Sequence, residues 1–183
     1  IELDASYSIA LRRAPQVDGA CADAWGAPEG GQSNVVSLRE LQALVGAYEW
    51  RKKGVEIPAL AKLTPKAYDR IHPHYGVFSP VRGEYIDLIA QAPLPTALNK
   101  QSLAFDIGTG TGVIAAVLAR RGLKKIVATD TDPRALACAA DNLQRLDVAA
   151  QVTLVQADLF PEGKAALAVC NPPWVPAKPS APV

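Results

Sequence analysis

The chain predicts an α/β fold built on a parallel sheet, and three observations in its second half support this. From Ser102 onward, short apolar segments alternate with longer segments of helical periodicity. The short segments are apolar along nearly their whole length, which is typical of parallel strands covered on both faces. After one of them, Asp132-Pro133 places a capping side chain before a first-turn proline, the usual start of a helix. We therefore expect alternating strands and helices here, preceded by a mainly helical extension.

The first half predicts three helices. Ser37 and Glu40 form a capping box that opens a helix, and Gly54 can end it. Thr64-Pro65 predicts the start of a short second helix, again through a cap and a first-turn proline. A third helix is expected over residues 83–92, where apolar positions recur at helical spacing.

The second half predicts four strands and two helices. The strands are expected at residues 103–107, 126–130, 152–155 and 166–170. The helices are expected at residues 113–121 and from 132 to about 146.

Composition and charge exclude several classes of protein. Hydrophobic residues make up 49% of the chain and charged residues 20%, which excludes general disorder. The net charge of +1 disfavours a strongly electrostatic nucleic-acid binder. No apolar stretch is long enough to span a membrane, and no signal peptide is visible, so no membrane partner is expected. The cysteines, Cys21, Cys138 and Cys170, are odd in number and widely spaced, which favours a reducing, cytoplasmic environment.

Alternating glycines follow the first predicted strand of the sheet. Gly108, Gly110 and Gly112 come shortly after Asp106, where the strand turns into a helix. Glycines let a ligand approach the backbone closely, and the helix N-terminus offers free N–H groups, so a nucleotide-like ligand is expected. The spacing D-x-G-x-G-x-G differs from the dinucleotide fingerprint G-x-G-x-x-G, because Val113 occupies the third glycine position.

Polar residues also follow the other three strands. Asp130 ends the second strand, where a carboxylate can accept two hydrogen bonds from a ribose diol. Asp132 is expected to cap the next helix instead of binding a ligand. Asp158-Leu159 follows the third strand, and Asn171-Pro172-Pro173-Trp174 follows the fourth.

The glycine loop and the Asn-Pro-Pro-Trp segment resemble class I S-adenosylmethionine-dependent methyltransferases of the N-P-P-aromatic type. The loop resembles motif I of that family. The segment resembles the motif of enzymes that methylate planar amino nitrogens: release-factor and ribosomal-protein glutamine, N6-adenine and N2-guanine methyltransferases. The resemblance covers residues of about 75–176. It implies S-adenosyl-L-methionine as the cofactor and a Rossmann-like sheet, of which this chain would hold the first four of seven strands.

The resemblance also implies a role for each residue. The cofactor would be held by residues of motif I, of two strand ends and of an upstream segment: Asp106, Gly108, Gly110, Gly112, Asp130, Asp158, Leu159, Phe78 and Pro80. Asn171 and Pro172 would accept the two N–H bonds of an amide or exocyclic amine, which aims the nitrogen lone pair at the sulfonium methyl group. Trp174 would stack on the methyl acceptor.

Alternatives to this function stay open. The methyl acceptor can be a protein glutamine or an RNA or DNA base, so the partner is a protein or a nucleic acid. A non-catalytic S-adenosylmethionine- or RNA-binding module is a second hypothesis, and an NAD-dependent oxidoreductase is a third. His72 and His74 have no third ligand nearby, so no metal is expected.

The chain is expected to consist of two parts. Residues 1–74 would form an N-terminal extension that contributes to substrate recognition, and residues 75–183 a methyltransferase domain that is incomplete at its C-terminus. The fourth strand would otherwise be an exposed edge, so we expect the natural protein to continue past Val183. The chain begins at Ile1 and contains no methionine, so we also expect that the natural start is missing.

Overall fold

The computed structural model describes residues 1–10, 12, 15–31, 33–65 and 68–172, whose buried apolar side chains form two cores. The first core joins β1 (Glu2–Leu3), α1 (Val17–Trp25), β2 (Asn34–Val35) and α2 (Leu38–Lys53). β1 and β2 pair antiparallel. The buried side chains of this core are Leu3, Tyr7, Val17, Ala20, Cys21, Val36, Leu41 and Leu44.

The predicted start of α2 is confirmed. The Ser37 hydroxyl accepts a hydrogen bond from the Glu40 N–H at 3.1 Å, which satisfies one of the unpaired donors of the first turn. Gly54 follows the last helical residue at a φ of 72°, a backbone conformation that favours glycine.

The next four elements connect the first core to the sheet. They are β3 (Val55–Glu56), α3 (Pro58–Leu63), β4 (Arg70–Ile71) and α4 (Glu84–Gln91), and β3 pairs antiparallel with β4. The helix predicted to start at Thr64 is wrong, because Thr64 ends α3 and Pro58 opens it. Both prolines satisfy the local rule for a first turn, but Ala59 and Leu60 are the side chains buried in the core.

The predicted alternation of strands and helices in the second half is confirmed. It consists of β5 (Leu103–Ile107), α5 (Val113–Arg120), β6 (Lys125–Asp130), α6 (Pro133–Arg145), a 3₁₀ turn (Ala149–Gln151), β7 (Val152–Gln156) and β8 (Leu167–Cys170). The four strands form one parallel sheet in the order β7-β6-β5-β8. The strand order reverses at β5, so the carboxyl end of β5 is a topological switch point where α/β proteins bind ligands.

The second core lies between one face of this sheet and its helices. In-register residues Ala104, Ile126 and Leu167 point to the same face and pack with apolar residues of α5 and α6. Residues of α3 and α4, including Leu60 and Ile86, belong to the same core. The described helices that join this core therefore cover one face of the sheet, and covering of the opposite face stays a prediction.

The buried residues of the two cores come from different parts of the chain. Val55, Ile57 and Ile71 belong to the core of the sheet, whereas the buried residues of the first core end at Leu44, with Val45, Tyr48 and Tyr75 packed against it. A division by core membership falls near Gly54, and the proposed boundary at residue 74 stays a prediction. None of the helices in the described ranges is long and apolar enough to cross a membrane.

Candidate functional site

A cavity of about 730 Å³ lies at the carboxyl ends of all four parallel strands. The segment Gly76–Phe78, Arg82 and Tyr85 form another part of its wall. Eight of the predicted site residues line it: Gly108, Gly110, Asp130, Asp158, Leu159, Phe78, Asn171 and Pro172. The sheet therefore brings together residues that are widely separated in the sequence.

Four predicted site residues have other positions. Asp106 precedes the glycine loop and Gly112 is the last glycine of the loop, and neither lines the cavity. Pro80 lines a separate cleft of about 360 Å³ between α3 and the start of α4. Trp174 lies outside the described residues, and its role stays a prediction.

The glycines of the loop serve two different purposes. All three have a positive φ, of 70° at Gly108, 53° at Gly110 and 81° at Gly112, which side chains rarely adopt. A Cβ atom on Gly112 would lie 3.2 Å from the Cα and Cβ atoms of Ala139, so this glycine allows α6 to pack closely. The space beside Gly108 and Gly110 is open, and both line the cavity, so these two leave room for a ligand.

Asp106 supports the loop from inside the protein. Its side chain is completely buried, and its Oδ2 atom accepts hydrogen bonds from the Thr109 hydroxyl at 2.6 Å and the Ala115 N–H at 3.0 Å. Its Oδ1 atom is buried without a hydrogen-bond partner in the described part of the chain. Burial raises the pKa of Asp106 to about 6, although the two hydrogen bonds lower it. Asp106 therefore supports the loop through these two hydrogen bonds, and its contact with a cofactor stays a prediction.

Asp130 joins the loop to the end of β6. Its Oδ2 atom accepts a hydrogen bond from the Gly110 N–H, and its Oδ1 atom accepts one from the Asp132 N–H, both at 3.0 Å. A carboxylate offers about four acceptor positions, so further hydrogen bonds to a ligand are possible. Asp130 is half-exposed and lines the cavity, as a ribose-binding residue must.

Asp132 has the capping role that the sequence predicts. Its Oδ1 atom accepts the Arg134 N–H at 2.8 Å, and its carboxylate also pairs with the Arg134 guanidinium. These hydrogen bonds hold the pKa of Asp132 below its ordinary value.

The loop after β7 is fixed to β6 by a residue that the sequence analysis did not identify. The buried Thr129 hydroxyl donates a hydrogen bond to the Leu159 carbonyl at 2.7 Å. Leu159 has a φ of 63°, in the left-handed region. Asp158 and Leu159 are exposed at the cavity, where a carboxylate and a backbone N–H can meet a polar ring.

Arg82 and Tyr85 are further cavity residues that the sequence analysis did not assign to the site. Arg82 is the one cation among the described residues that line the cavity, and no ion pair with Glu84 forms in this part of the structure. Burial raises the pKa of Tyr85 to about 12, and the nearby Asp106 carboxylate adds to this effect. Tyr85 therefore stays a neutral hydroxyl at physiological pH.

The histidines have structural contacts. The His72 Nδ1 atom lies 2.7 Å from the Arg51 carbonyl, and the His74 Nε2 atom lies 3.0 Å from Asp141 Oδ2. Burial, followed by the nearby Arg51 charge, lowers the pKa of His74. The described ranges contain no cluster of three or more His, Cys, Asp or Glu side chains that could hold a metal ion.

A glycine loop and a strand-end carboxylate at the switch point of a parallel sheet are typical of α/β domains that bind nucleotides. A model of the methyltransferase small domain matches residues 69–181 of the chain. The match covers more than half of the 183 residues, so the chain belongs to the methyltransferase small domain family.

Curated relatives are similar over part of the chain. It is 46% identical over 69 residues to a ribosomal protein L11 methyltransferase of Pelotomaculum thermopropionicum, over 37% of this chain and 22% of that protein. It is 45% identical over 76 residues to a release factor glutamine methyltransferase of Cereibacter sphaeroides, over 39% of this chain and 27% of that protein. It is 34% identical over 84 residues to a tRNA adenine N6-methyltransferase of Histophilus somni, over 42% of this chain and 36% of that protein.

A solved structure is also similar. The crystal structure of a ribosomal protein L11 methylase from Lactobacillus delbrueckii subsp. bulgaricus is 25% identical, with a TM-score of 0.44 over 58% of this chain and 56% of that one. The chain spans between 22% and 36% of the length of the three curated relatives described above.

Proposed function

We propose that the protein transfers a methyl group from S-adenosyl-L-methionine to a planar amide or exocyclic amino nitrogen. The observation that carries this proposal is the presence of Asn171 and Pro172 in the same cavity as the glycine loop and Asp130. The glycine loop, proposed to bind the cofactor, and the proposed acceptors for the substrate N–H groups thus line the same cavity.

The cavity residues fit the polar groups of this cofactor. Asp130 has acceptor positions left for a ribose diol, and Asp158 is exposed where an adenine amino group would need an acceptor. Arg82 supplies a cation for the carboxylate of the amino-acid end, since it is the one positive group lining the cavity in the described ranges. The open space beside Gly108 and Gly110 lets the ligand lie against the backbone.

The proposed methyl transfer gives a chemical role to Asn171 and Pro172, which follow β8. The bound cofactor would supply an electrophilic methyl group on its sulfonium. An amide or exocyclic amine is a poor nucleophile because its lone pair is delocalised. The Asn171 oxygen and the Pro172 carbonyl would accept its two N–H bonds and stabilise the developing charge on nitrogen. Pro172 restricts the backbone, so little ordering is needed during the reaction.

The relatives support a protein or nucleic-acid acceptor. Their names give ribosomal protein L11, release factor glutamine and tRNA adenine N6 as the sites of methylation. We therefore propose a glutamine-bearing protein or an RNA or DNA base as the acceptor, in the cytoplasm. The N-terminal extension is proposed to contribute to the choice between them.

Calorimetry and a transfer assay on the full-length protein test this function. We expect S-adenosyl-L-methionine and S-adenosylhomocysteine to bind and NAD to bind more weakly or not at all. Labelled methyl transfer is then measured with ribosomes, release factors and tRNA as acceptors. Tighter binding of NAD would refute the cofactor assignment. Cofactor binding without methyl transfer to any of these acceptors would instead support the hypothesis of a non-catalytic binding module.

A further inference from the structure

A completely buried amide on α6 connects two walls of the cavity without lining it. Asn142 is 0% exposed, and its Oδ1 atom accepts the His72 N–H at 2.7 Å. Its Nδ2 atom donates to the His72 carbonyl at 3.2 Å and to the Thr111 carbonyl at 3.1 Å. One side chain thus pairs with both backbone groups of His72 and with the backbone of the glycine loop.

The two partners of Asn142 lie in or near different segments of the cavity wall. Thr111 lies in the glycine loop and lines the cavity. His72 precedes the segment Gly76–Phe78, which lines the cavity as well. The spacing between these two segments is therefore set partly by the length of one amide group.

The segment around His72 is also held from the N-terminal side. The Arg51 carbonyl at the end of α2 lies 2.7 Å from the His72 ring, and the Arg51 side chain pairs with Asp23 of α1. Asn142 forms hydrogen bonds with the backbone of the same residue. His72 is therefore linked both to the end of α2 and, through Asn142, to the glycine loop. An apolar side chain at position 142 would remove these hydrogen bonds of the His72 N–H and the Thr111 carbonyl, whereas the His72 carbonyl would keep the one from Cys138 Sγ at 3.6 Å.

We infer that Asn142 is a positioning residue that sets the separation of the two walls for the amino-acid end of the cofactor. This inference rests on the proposed function. Arg82, which is proposed to bind the carboxylate of the amino-acid end, follows the Gly76–Phe78 segment by four residues, and both line the cavity. Changing the separation should therefore affect ligands with an amino-acid end more than ligands without one.

The test compares two ligands in full-length protein. S-adenosylhomocysteine carries the amino-acid end, and 5′-methylthioadenosine lacks it. We expect Asn142→Leu to weaken S-adenosylhomocysteine binding about tenfold or more, the effect of losing one or two buried hydrogen bonds. Binding of 5′-methylthioadenosine should change by less than about threefold. Calorimetry measures both affinities, and urea denaturation measures stability.

A neighbouring variant controls for loss of stability. Leu143 is buried in the same helix and belongs to the core of the sheet, so Leu143→Ala should lower the urea midpoint and leave the ratio of the two affinities unchanged. If Asn142→Leu does not fold, Asn142→Asp, which keeps the acceptor for the His72 N–H, replaces it and should show the same ligand preference. Equal weakening of both ligands, or unchanged binding of both, overturns the inference. Failure of the wild-type protein to bind either ligand refutes the proposed function instead.

Discussion

The buried carboxylate of Asp106 should make the stability of the fold depend on pH. Burial raises its pKa from 3.8 to about 6 in the folded state. The folded state thus holds the proton more tightly than the unfolded state. The contribution to stability is therefore fully present below pH 3.8 and is lost as the pH rises through about 6. The difference between the two pKa values corresponds to about 3 kcal/mol in the free energy of unfolding.

Asp106→Asn isolates this contribution. The amide keeps an oxygen that can accept the hydrogen bonds from Thr109 and Ala115 but has no charge to bury. Urea denaturation at pH values between 4 and 8 gives the free energy of unfolding of both proteins. The wild-type value minus the variant value should fall by about 1.4 kcal/mol per pH unit between pH 4 and 6 and stay constant above pH 7.

Asp132 provides a control, because its contribution to stability should change with pH in the opposite direction. Hydrogen bonds from Arg134 lower the pKa of Asp132, so its contribution is present at neutral pH and is lost as the pH falls through the lowered pKa. Asp132→Asn should therefore lose its effect in acid, whereas the effect of Asp106→Asn changes between pH 4 and 6. Parallel stability curves for wild-type protein and Asp106→Asn would show that Asp106 has an ordinary pKa and that the loop does not bury it.

Substitutions at four further positions test the site. Asp130→Ala should weaken S-adenosylhomocysteine binding by about 1.5–3 kcal/mol in calorimetry, and an unchanged affinity would remove Asp130 from the site. Arg82→Ala should weaken S-adenosylhomocysteine but leave 5′-methylthioadenosine within about threefold; equal losses would contradict a carboxylate contact. Asn171→Ala should lower the maximal rate about a hundredfold at normal cofactor affinity, and Asn171→Asp should keep more activity; turnover within threefold of wild type argues against the planar-nitrogen mechanism. Gly112→Ala should lower the thermal midpoint, because the new Cβ atom meets Ala139 and φ is 81°; an unchanged midpoint would contradict this packing.

The elements that the sequence predicts well depend on neighbouring residues. The capping role of Asp132 follows from the proline beside it, and each predicted strand is a local apolar run. The start of α3 could not be predicted in this way, because the local rule of a capping residue before a proline favours Thr64-Pro65, whereas Ile57 before Pro58 has no capping side chain. Burial of Ala59 and Leu60 in the core favours the start at Pro58. The role of Asn142 depends on His72, which is far away in the sequence, so no local pattern indicates it.

The burial of Asp106 shows a second limit. Its place in a glycine motif predicts a residue near the ligand, and the structure places it near the end of β5, just before the loop that lines the cavity. Whether its carboxylate faces the cavity or the interior depends on Thr109 and Ala115, which turn it inward through hydrogen bonds. The sequence predicts the residue types of the site, whereas their orientation depends on contacts formed by the whole fold.

The strand order also has a consequence for the order in which the site is made during synthesis. The ribosome produces β5, β6 and β7 before β8. In the sheet, β6 lies next to β5 and β7 lies next to β6, all on one side of β5. β8 pairs with the other edge of β5, with Leu167 opposite Ala104, so this pairing can form only after β8 has been synthesised. The glycine loop and Asp130 are synthesised before β8, whereas Asn171 is synthesised after it. A nascent chain thus acquires its proposed cofactor wall before the residue proposed to hold the methyl acceptor, which separates the two steps in time.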